Sequence, residues 1–311
     1  MTEVMARSTA KGVITLALLT LNVLLCFVPI IMLGLLKLAL PVQGWRDLAS
    51  RWLMRLGERW ISTNQAILSV TQAIRWDIRG ADSLRRNEWY LVISNHQSWV
   101  DILVLQAVFN RRIPFLKFFI KQQLIWVPFL GLAWWALDMP FMKRYSREFL
   151  AKHPEMRGRD LETTRRSCEK FRRVPTSIIN FVEGNRFTAE KQSQRKSPYR
   201  HLLPPRPGGV AFVLGAMGGM LHALLDVTIV YDGGTPSLWD LCCGRVSRVV
   251  VHVSERKIAR WIAEGDYSDD EAYRDRFNQW LGSVWAEKDE RIRAIRGEPD
   301  LSPRTPDSAV S

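Results

Sequence analysis

A histidine and an aspartate stand five positions apart in Asn95-His96-Gln97-Ser98-Trp99-Val100-Asp101, directly after the apolar run Trp89-Tyr90-Leu91-Val92-Ile93. An imidazole can take a hydroxyl proton at neutral pH, and a nearby carboxylate can fix its tautomer and stabilise the imidazolium that forms. His96 would then be a general base and Asp101 its partner. A capping reading competes on equal terms, because Ser98-Trp99-Val100-Asp101 is a Ser-x-x-Asp pattern able to open a helix near Trp99. On one helix, at about 100° per residue, positions five apart diverge by about 140°. The pair can meet only if His96 lies in the turn before the helix and Asp101 in its first turn. A strand followed by a turn supplies that arrangement.

Three further blocks follow in order. They are Lys121-Gln122-Gln123-Leu124 with Pro128 and Gly131, then Phe181-Val182-Glu183-Gly184-Asn185-Arg186, then Val227-Thr228-Ile229-Val230-Tyr231. The first segment resembles the N-H-x-S-x-x-D motif of the glycerolipid acyltransferases, the 1-acyl-sn-glycerol-3-phosphate (lysophosphatidic acid, PlsC) acyltransferase family. The second resembles that family's lysine-led block, the third its F-P-E-G-T-R block, and the fourth an apolar strand that normally holds a proline. Val182 stands where that family usually has proline, Asn185 where it has threonine, Phe187 where a small polar residue is frequent, and Thr228 in place of the fourth block's proline. Length and a basic, aromatic-rich sequence make the chain similar to the YihG-like bacterial members.

The resemblance implies a membrane-bound O-acyltransferase. It would move a fatty acyl group from an acyl-CoA or acyl carrier protein thioester to the sn-2 hydroxyl of lysophosphatidic acid, or to another lysophospholipid, with no cofactor. His96 and Asp101 would be catalytic, the substrate hydroxyl attacking the thioester directly. No G-x-S-x-G elbow is present, and Ser98 is the weaker candidate for a nucleophile. Arg186 would grip the acceptor phosphate, since a guanidinium offers a two-pronged donor that lysine lacks. Lys121 is the second phosphate candidate. Glu183, beside Gly184, would orient Arg186 or a backbone turn. Pro205-Arg206-Pro207-Gly208-Gly209 precedes a small-residue helix whose free N–H groups could face an anion, and Arg206 is retained as a further contact.

The elements that must position these residues alternate. Short apolar segments predict strands at 74–79, 89–94, 113–117, 138–142, 177–182, 225–231 and 246–253, with helices near 99–110, 160–172 and 208–222. That order predicts an α/β fold, a mixed sheet flanked by helices, with an N-terminal membrane helix or hairpin. Ser268-Asp269-Asp270-Glu271 reads as a capping box opening a last helix, with Tyr273, Phe277, Trp280, Leu281, Val284 and Trp285 as its packing face.

Val13 to Leu36 contains no charge over 24 positions, about 36 Å of helix against a hydrocarbon core of about 30 Å. Asn22 and Pro29 leave both a kinked span and a one-leaflet hairpin open, with a span the default. More arginines and lysines follow the segment than precede it, which predicts a catalytic domain on the cytoplasmic face of a bacterial inner membrane. Trp45, Leu48, Trp52, Leu56 and Trp60 recur at helical spacing between arginines, as either a core-packing or an interfacial helix. The expected organisation is a membrane segment (1–40), an amphipathic connecting helix (41–70), a catalytic domain (71–297) and a disordered tail (298–311).

Lysine and arginine outnumber aspartate and glutamate 44 to 31, a net charge of +13 that suits anionic membrane lipids. A nucleic-acid partner is not expected, since no RNP, KH or zinc-finger pattern occurs. A membrane-tethered RNA-binding protein and an inactive scaffold of the same fold are the alternatives of another class. The aromatic span Ile113 to Met142 is interrupted by Lys117 and Lys121, and reads as a face guiding an acyl chain toward His96 more readily than as a second span. Lys191 to Lys196 reads as a solvated basic loop. Neither the four cysteines nor the histidines show metal-ligand spacing.

Overall fold

The computed structural model describes residues 2–40, 42–118, 120–127, 130–142, 170–267 and 269–299. Two long helices lead, α1 (Thr2–Ala39) and α2 (Gln43–Thr71). Strands β1 (Arg75–Arg79) and β2 (Tyr90–Ser94) follow, then α3 (Val100–Phe109) and β3 (Leu116–Phe118). Next come β4 (Ile120–Lys121), a 3₁₀ turn at Gln122–Trp126, α4 (Leu130–Ala136) and β5 (Phe141–Met142). The second half holds β6 (Ser177–Phe181), α5 (Ala189–Gln194), α6 (Pro207–Met217), β7 (Ala223–Tyr231), α7 (Leu238–Cys242), β8 (Arg248–Arg256), α8 (Arg260–Glu264) and α9 (Glu271–Arg296).

Six strands form one sheet in the order β1-β8-β7-β2-β6-β3, and β4 pairs with β5 apart from it. Every pair in the large sheet is parallel except β7 with β8, so the sheet is mixed, as its sequence predicts. The central strand β2 is buried along its whole length. A parallel strand covered on both faces needs apolar side chains at consecutive positions, and Tyr90-Leu91-Val92-Ile93 provides them. Its alternate residues enter two cores. Tyr90 and Val92 join Val104, Leu105 and Val108 of α3 on one face, while Leu91 and Ile93 join α6 and α9 on the other.

That alternation also sorts β7. Leu225, Val227, Ile229 and Tyr231 belong to the α3 face. Asp226 and Thr228 face the other way and meet Lys288 and Arg291 of α9.

α1 runs through Pro29 as one helix. The hairpin is made instead by α1 and α2 together. Asn22 explains why they stay paired: its amide donates to the Trp60 carbonyl at 3.0 Å and to Asn64 Oδ1 at 2.8 Å. α1 is also tied to the domain at both ends. Ser8 donates to the Cys243 carbonyl at 3.0 Å, and Lys37 pairs with Asp138 at 2.5 Å. A Cβ on Gly12 would lie 2.6 Å from Cys243 Sγ, and one on Gly34 2.8 Å from the Ala136 Cβ. Both glycines are therefore places where the helix backbone meets the domain directly.

The stripe predicted on α2 is divided between its two readings, with Leu56 and Trp60 half-buried against the core. The buried positions of α2 are Ala49, Leu53, Gly57, Ile61, Asn64 and Leu68, whereas Leu48 and Trp52 are exposed. Small residues mark the inner face because Phe115 approaches Gly57 so closely that a Cβ there would stand 2.6 Å from it. The last helix is capped by Asp270, whose carboxylate accepts the Tyr273 N–H at 2.9 Å. Asp270 thus takes the place expected of Ser268, which itself lies outside the described residues. The predicted packing face holds, with Phe277, Leu281, Val284 and Trp285 buried. The predicted strands at 113–117 and 138–142 are shorter and later, and the helix expected near 160–172 falls almost wholly outside the described residues. Among the described residues one helix, Met5–Ala39, is long and apolar enough to cross a membrane.

Candidate active site

The carboxyl ends of β2, β6 and β7 lie side by side, with Ser94 in register with Phe181 and Val227. His96 follows the first of these ends, Glu183 and Arg186 follow the second, and Ile229 to Tyr231 close the third. Clefts at the carboxyl ends of parallel strands are the usual binding place in such sheets.

Asp101 accounts for both readings of its motif. Its Oδ2 is 2.8 Å from His96 Nδ1 and also accepts the N–H groups of Gln97 at 2.6 Å and Ser98 at 2.8 Å. One carboxylate therefore closes the turn before α3 and fixes the imidazole. The side chain of Asp101 is fully buried and that of His96 is 15 % exposed. Nδ1 is thus occupied, while Nε2 has no hydrogen-bond partner among the described residues. Ser98 is differently employed, donating to the Pro236 carbonyl and accepting the Val100 N–H at 3.1 Å. Neither contact activates it as a nucleophile.

The backbone of the loop is pinned from two strands. Asn95 exchanges two bonds with Ile229 of β7, both 2.9 Å, and Gln97 Nε2 donates to the same Ile229 carbonyl at 2.8 Å. From β6, Phe181 stacks on the His96 ring at 3.9 Å between centroids, and Phe118 stands behind Phe181 at 6.4 Å. Phe118 belongs to the aromatic span from Ile113 to Met142, so that span reaches the histidine through one intervening ring.

Glu183 is buried and bonds to backbone, accepting the His96 N–H at 2.8 Å and the Leu203 N–H at 2.9 Å. Of the two roles expected for it, orienting a turn is the one its contacts match. Burial raises its pKa from 4.5 to about 7, against the lowering effect of the two N–H donors and of Lys288. A carboxyl whose folded pKa is raised binds its proton more tightly in the folded state, so stability falls as pH rises from about 4.5 and the full penalty is present above about 7. Thermal melts should therefore show stability declining across that window, by up to about 3 kcal/mol from this group. In Glu183→Gln that component should vanish. An unchanged pH dependence in the variant would remove Glu183 as its source.

Arg186 is exposed, its guanidinium carbon 5.3 Å from the centroid of the Trp99 ring. The next residue, Phe187, donates its N–H to the His96 carbonyl at 2.7 Å, which brings the arginine within one residue of the histidine's backbone. Gly184 has φ +66° and would, with a Cβ, meet the Arg206 side chain at 2.9 Å. Arg206 donates its N–H to the Val182 carbonyl at 2.8 Å and occupies the N-cap of α6. A third cation, Arg195, lies 3.4 Å from the Glu183 carbonyl. The structure thus gathers His96, Asp101, Glu183, Gly184, Arg186 and Arg206 at the carboxyl ends of the inner strands β2, β6 and β7. Lys121 sits in β4, and its side chain lies outside the described residues.

Four contributors escape a reading by motif: Phe181 as a stacking partner, Trp99 under Arg186, Arg195, and Tyr231 bound to Asp101. The last had a signal, a polar-tipped aromatic ending an apolar strand, since a buried phenol must find a partner.

The acyltransferase family model matches residues 75–231. The chain is 25% identical over 240 residues to mouse (Mus musculus) 1-acyl-sn-glycerol-3-phosphate acyltransferase delta, covering 71% of this chain and 58% of that protein. To human (Homo sapiens) 1-acyl-sn-glycerol-3-phosphate acyltransferase gamma it is 24% identical over 215 residues, 62% of this chain and 54% of the relative. The chain therefore spans little more than half the length of these relatives. The crystal structure of the 1-acyl-sn-glycerophosphate (LPA) acyltransferase PlsC from Thermotoga maritima aligns with a TM-score of 0.49 and 15% identity, over 93% of this chain and 99% of that one.

Proposed function

Since the chain belongs to the acyltransferase family, whose model spans the sheet from β1 to the end of β7, we propose that it transfers a fatty acyl group from a thioester donor to the free hydroxyl of lysophosphatidic acid. The observation that carries this reading is the His96 imidazole, held through Nδ1 on a buried carboxylate with Nε2 unbonded among the described residues, one residue's reach from an exposed arginine. In the reaction the acceptor oxygen attacks the thioester carbonyl while His96 Nε2 takes its proton. The C–S bond then breaks, and the imidazolium returns the proton to the departing thiolate. No covalent enzyme intermediate forms, and Ser98, committed to Pro236 and Val100, stays outside the chemistry.

Arg186 is assigned the acceptor phosphate, with Arg206 flanking Gly184 and Lys121 as a second contact. Acyl-CoA and acyl carrier protein both carry the required thioester. Purified full-length protein should move labelled acyl groups from one of them to lysophosphatidic acid. In Arg186→Ala the KM for the acceptor should rise roughly 10- to 100-fold, the loss of a charge-assisted hydrogen bond to phosphate. A folded wild type inactive on lysophosphatidic acid and on a panel of lysophospholipids would overturn the enzyme reading.

The same reading places α1 along a membrane surface. Val13, Ile14, Leu21, Leu24, Leu25, Val28 and Met32 are exposed on it, and Leu48 and Trp52 of α2 are exposed too. Ser8 and Lys37, both bonded to the domain, lie about 43 Å apart along the helix, more than a hydrocarbon core of about 30 Å. An upright α1 would carry the domain into the bilayer. Lying flat, it puts its apolar face among the lipids and leaves the domain in water. The proposed location is the cytoplasmic face of a bacterial inner membrane, where +13 of net charge meets anionic lipids.

A further inference from the structure

We infer that Tyr231 is a positioning residue for the His96–Asp101 pair, its phenol O–H saturating the carboxylate oxygen that the histidine does not use. This rests on the reading of His96 as the base. The Tyr231 hydroxyl donates to Asp101 Oδ1 at 2.6 Å, both side chains being buried. The other oxygen, Oδ2, already serves His96 Nδ1 and the N–H groups of Gln97 and Ser98.

Strand geometry makes the contact obligatory. Side chains alternate along β7, so Ile229 and Tyr231 share the α3 face, and Asp101 opens α3. Three hydrogen bonds lock Ile229 to the histidine loop, its carbonyl accepting from Asn95 and Gln97 and its N–H donating to Asn95 Oδ1. Two residues further along the same face, the phenol arrives at the carboxylate. Burial and the adjacent Asp101 push the Tyr231 pKa well above its ordinary value, so the group remains a donor throughout the working pH range.

Two consequences follow for the base. With both oxygens engaged, the carboxylate cannot rotate about its terminal bond, and the imidazole is held in one orientation. The phenol also disperses charge from Asp101. Without it the carboxylate stabilises imidazolium more strongly, so His96 reaches its neutral, proton-accepting form only at higher pH. The other charged groups gathered around the pair are Glu183, bonded to the His96 N–H, Arg186 next to Phe187, Arg195 at the Glu183 carbonyl, Arg206 beside Gly184, and Lys288 on α9, which acts on Glu183. None of them is altered by Tyr231→Phe, which removes one oxygen and keeps the ring.

The experiment compares wild type, Tyr231→Phe and His96→Ala as full-length purified protein. It reads acyl transfer to lysophosphatidic acid from about pH 5.5 to about 9, together with an NMR titration of the His96 ring, identified by its loss in His96→Ala. Tyr231→Phe should lower kcat roughly tenfold with KM nearly unchanged, and move the acid limb and the NMR midpoint up by roughly half to one pH unit. A lower kcat with both midpoints unmoved would show a packing role only and overturn the proposal. The titration needs no turnover, so it decides the Tyr231 coupling even if the enzyme reading fails through an inactive wild type or an active His96→Ala. Should Tyr231→Phe not fold, a ring-fluorinated tyrosine at 231, a stronger donor of nearly the same shape, must shift both midpoints to lower pH. No shift there would equally overturn it.

Discussion

His96→Ala should reduce acyl transfer by roughly 10²- to 10⁴-fold, the range a positioned general base supplies, while leaving the folded protein intact. Among the described residues the imidazole makes one side-chain hydrogen bond, to Asp101, and stacks on Phe181, so its loss removes little that holds the sheet together. The backbone N–H and C=O of residue 96, which bond Glu183 and Phe187, survive the substitution. Asp101→Asn separates charge from geometry. Its remaining oxygen can keep the three donors of Oδ2, and its amide can donate to a Tyr231 hydroxyl that turns to accept. The turn should therefore form, yet activity should fall nearly as far as in His96→Ala, because a neutral partner no longer stabilises the imidazolium. Stopped assays with labelled donor, alongside circular dichroism melts, check both. Transfer by His96→Ala within a factor of about three of wild type would exclude general-base catalysis by this residue.

The capping reading and the catalytic reading of this motif were never exclusive. A carboxylate has two oxygens and about four lone-pair directions, enough for two backbone donors, an imidazole and a phenol. Local pattern identifies the cap, and only the neighbouring strand identifies the phenol. Sequence periodicity located the site-bearing strands well for a related reason. β2, β6 and β7 are central and parallel to β2, so their runs are apolar and long enough to stand out. β3, β4 and β5, with two or three residues each, carry too little pattern to fix their ends. The inner face of α2 is not legible from its aromatic stripe, which suits a core-packing and an interfacial helix equally. The stripe is divided between them, Leu56 and Trp60 packing against the core while Leu48 and Trp52 are exposed. Trp52 faces outward, while Ala49 and Gly57 are buried, and at Gly57 the closeness of Phe115 makes space rather than hydrophobicity limiting.

Lys288→Met should destabilise the protein by about 3–5 kcal/mol, the usual effect of removing one partner from a buried ion pair. Lys288 and Asp226 are both fully buried and meet at 2.5 Å, and Lys288 also donates to the Val227 carbonyl. Burial lowers the lysine's pKa, and Asp226 works against that shift. Without the ammonium, Asp226 keeps, among the described residues, Arg256 at 3.2 Å and Arg291 at 3.4 Å, both partly exposed and less able to offset its desolvation. At roughly 2–4 °C per kcal/mol for a domain of this size, the melting temperature should drop by roughly 6 to 20 °C. Replacing both partners, as Asp226→Leu with Lys288→Met, should recover much of that loss, since an apolar pair leaves no buried charge. A single variant melting within about a degree of wild type would show that the arginines suffice. The pair's consequences reach the candidate site because α9 also supports Leu203: Trp285 Nε1 donates to its carbonyl at 3.1 Å while its N–H holds Glu183, and Glu183 holds His96. Loosening α9 should therefore lower activity at temperatures well below the melt. Position 288 continues the stripe of Leu281, Val284 and Trp285 toward Ile292, and Asp226 interrupts an apolar strand. A charge at each of two core positions, opposite in sign, is a pattern in which each residue requires the other.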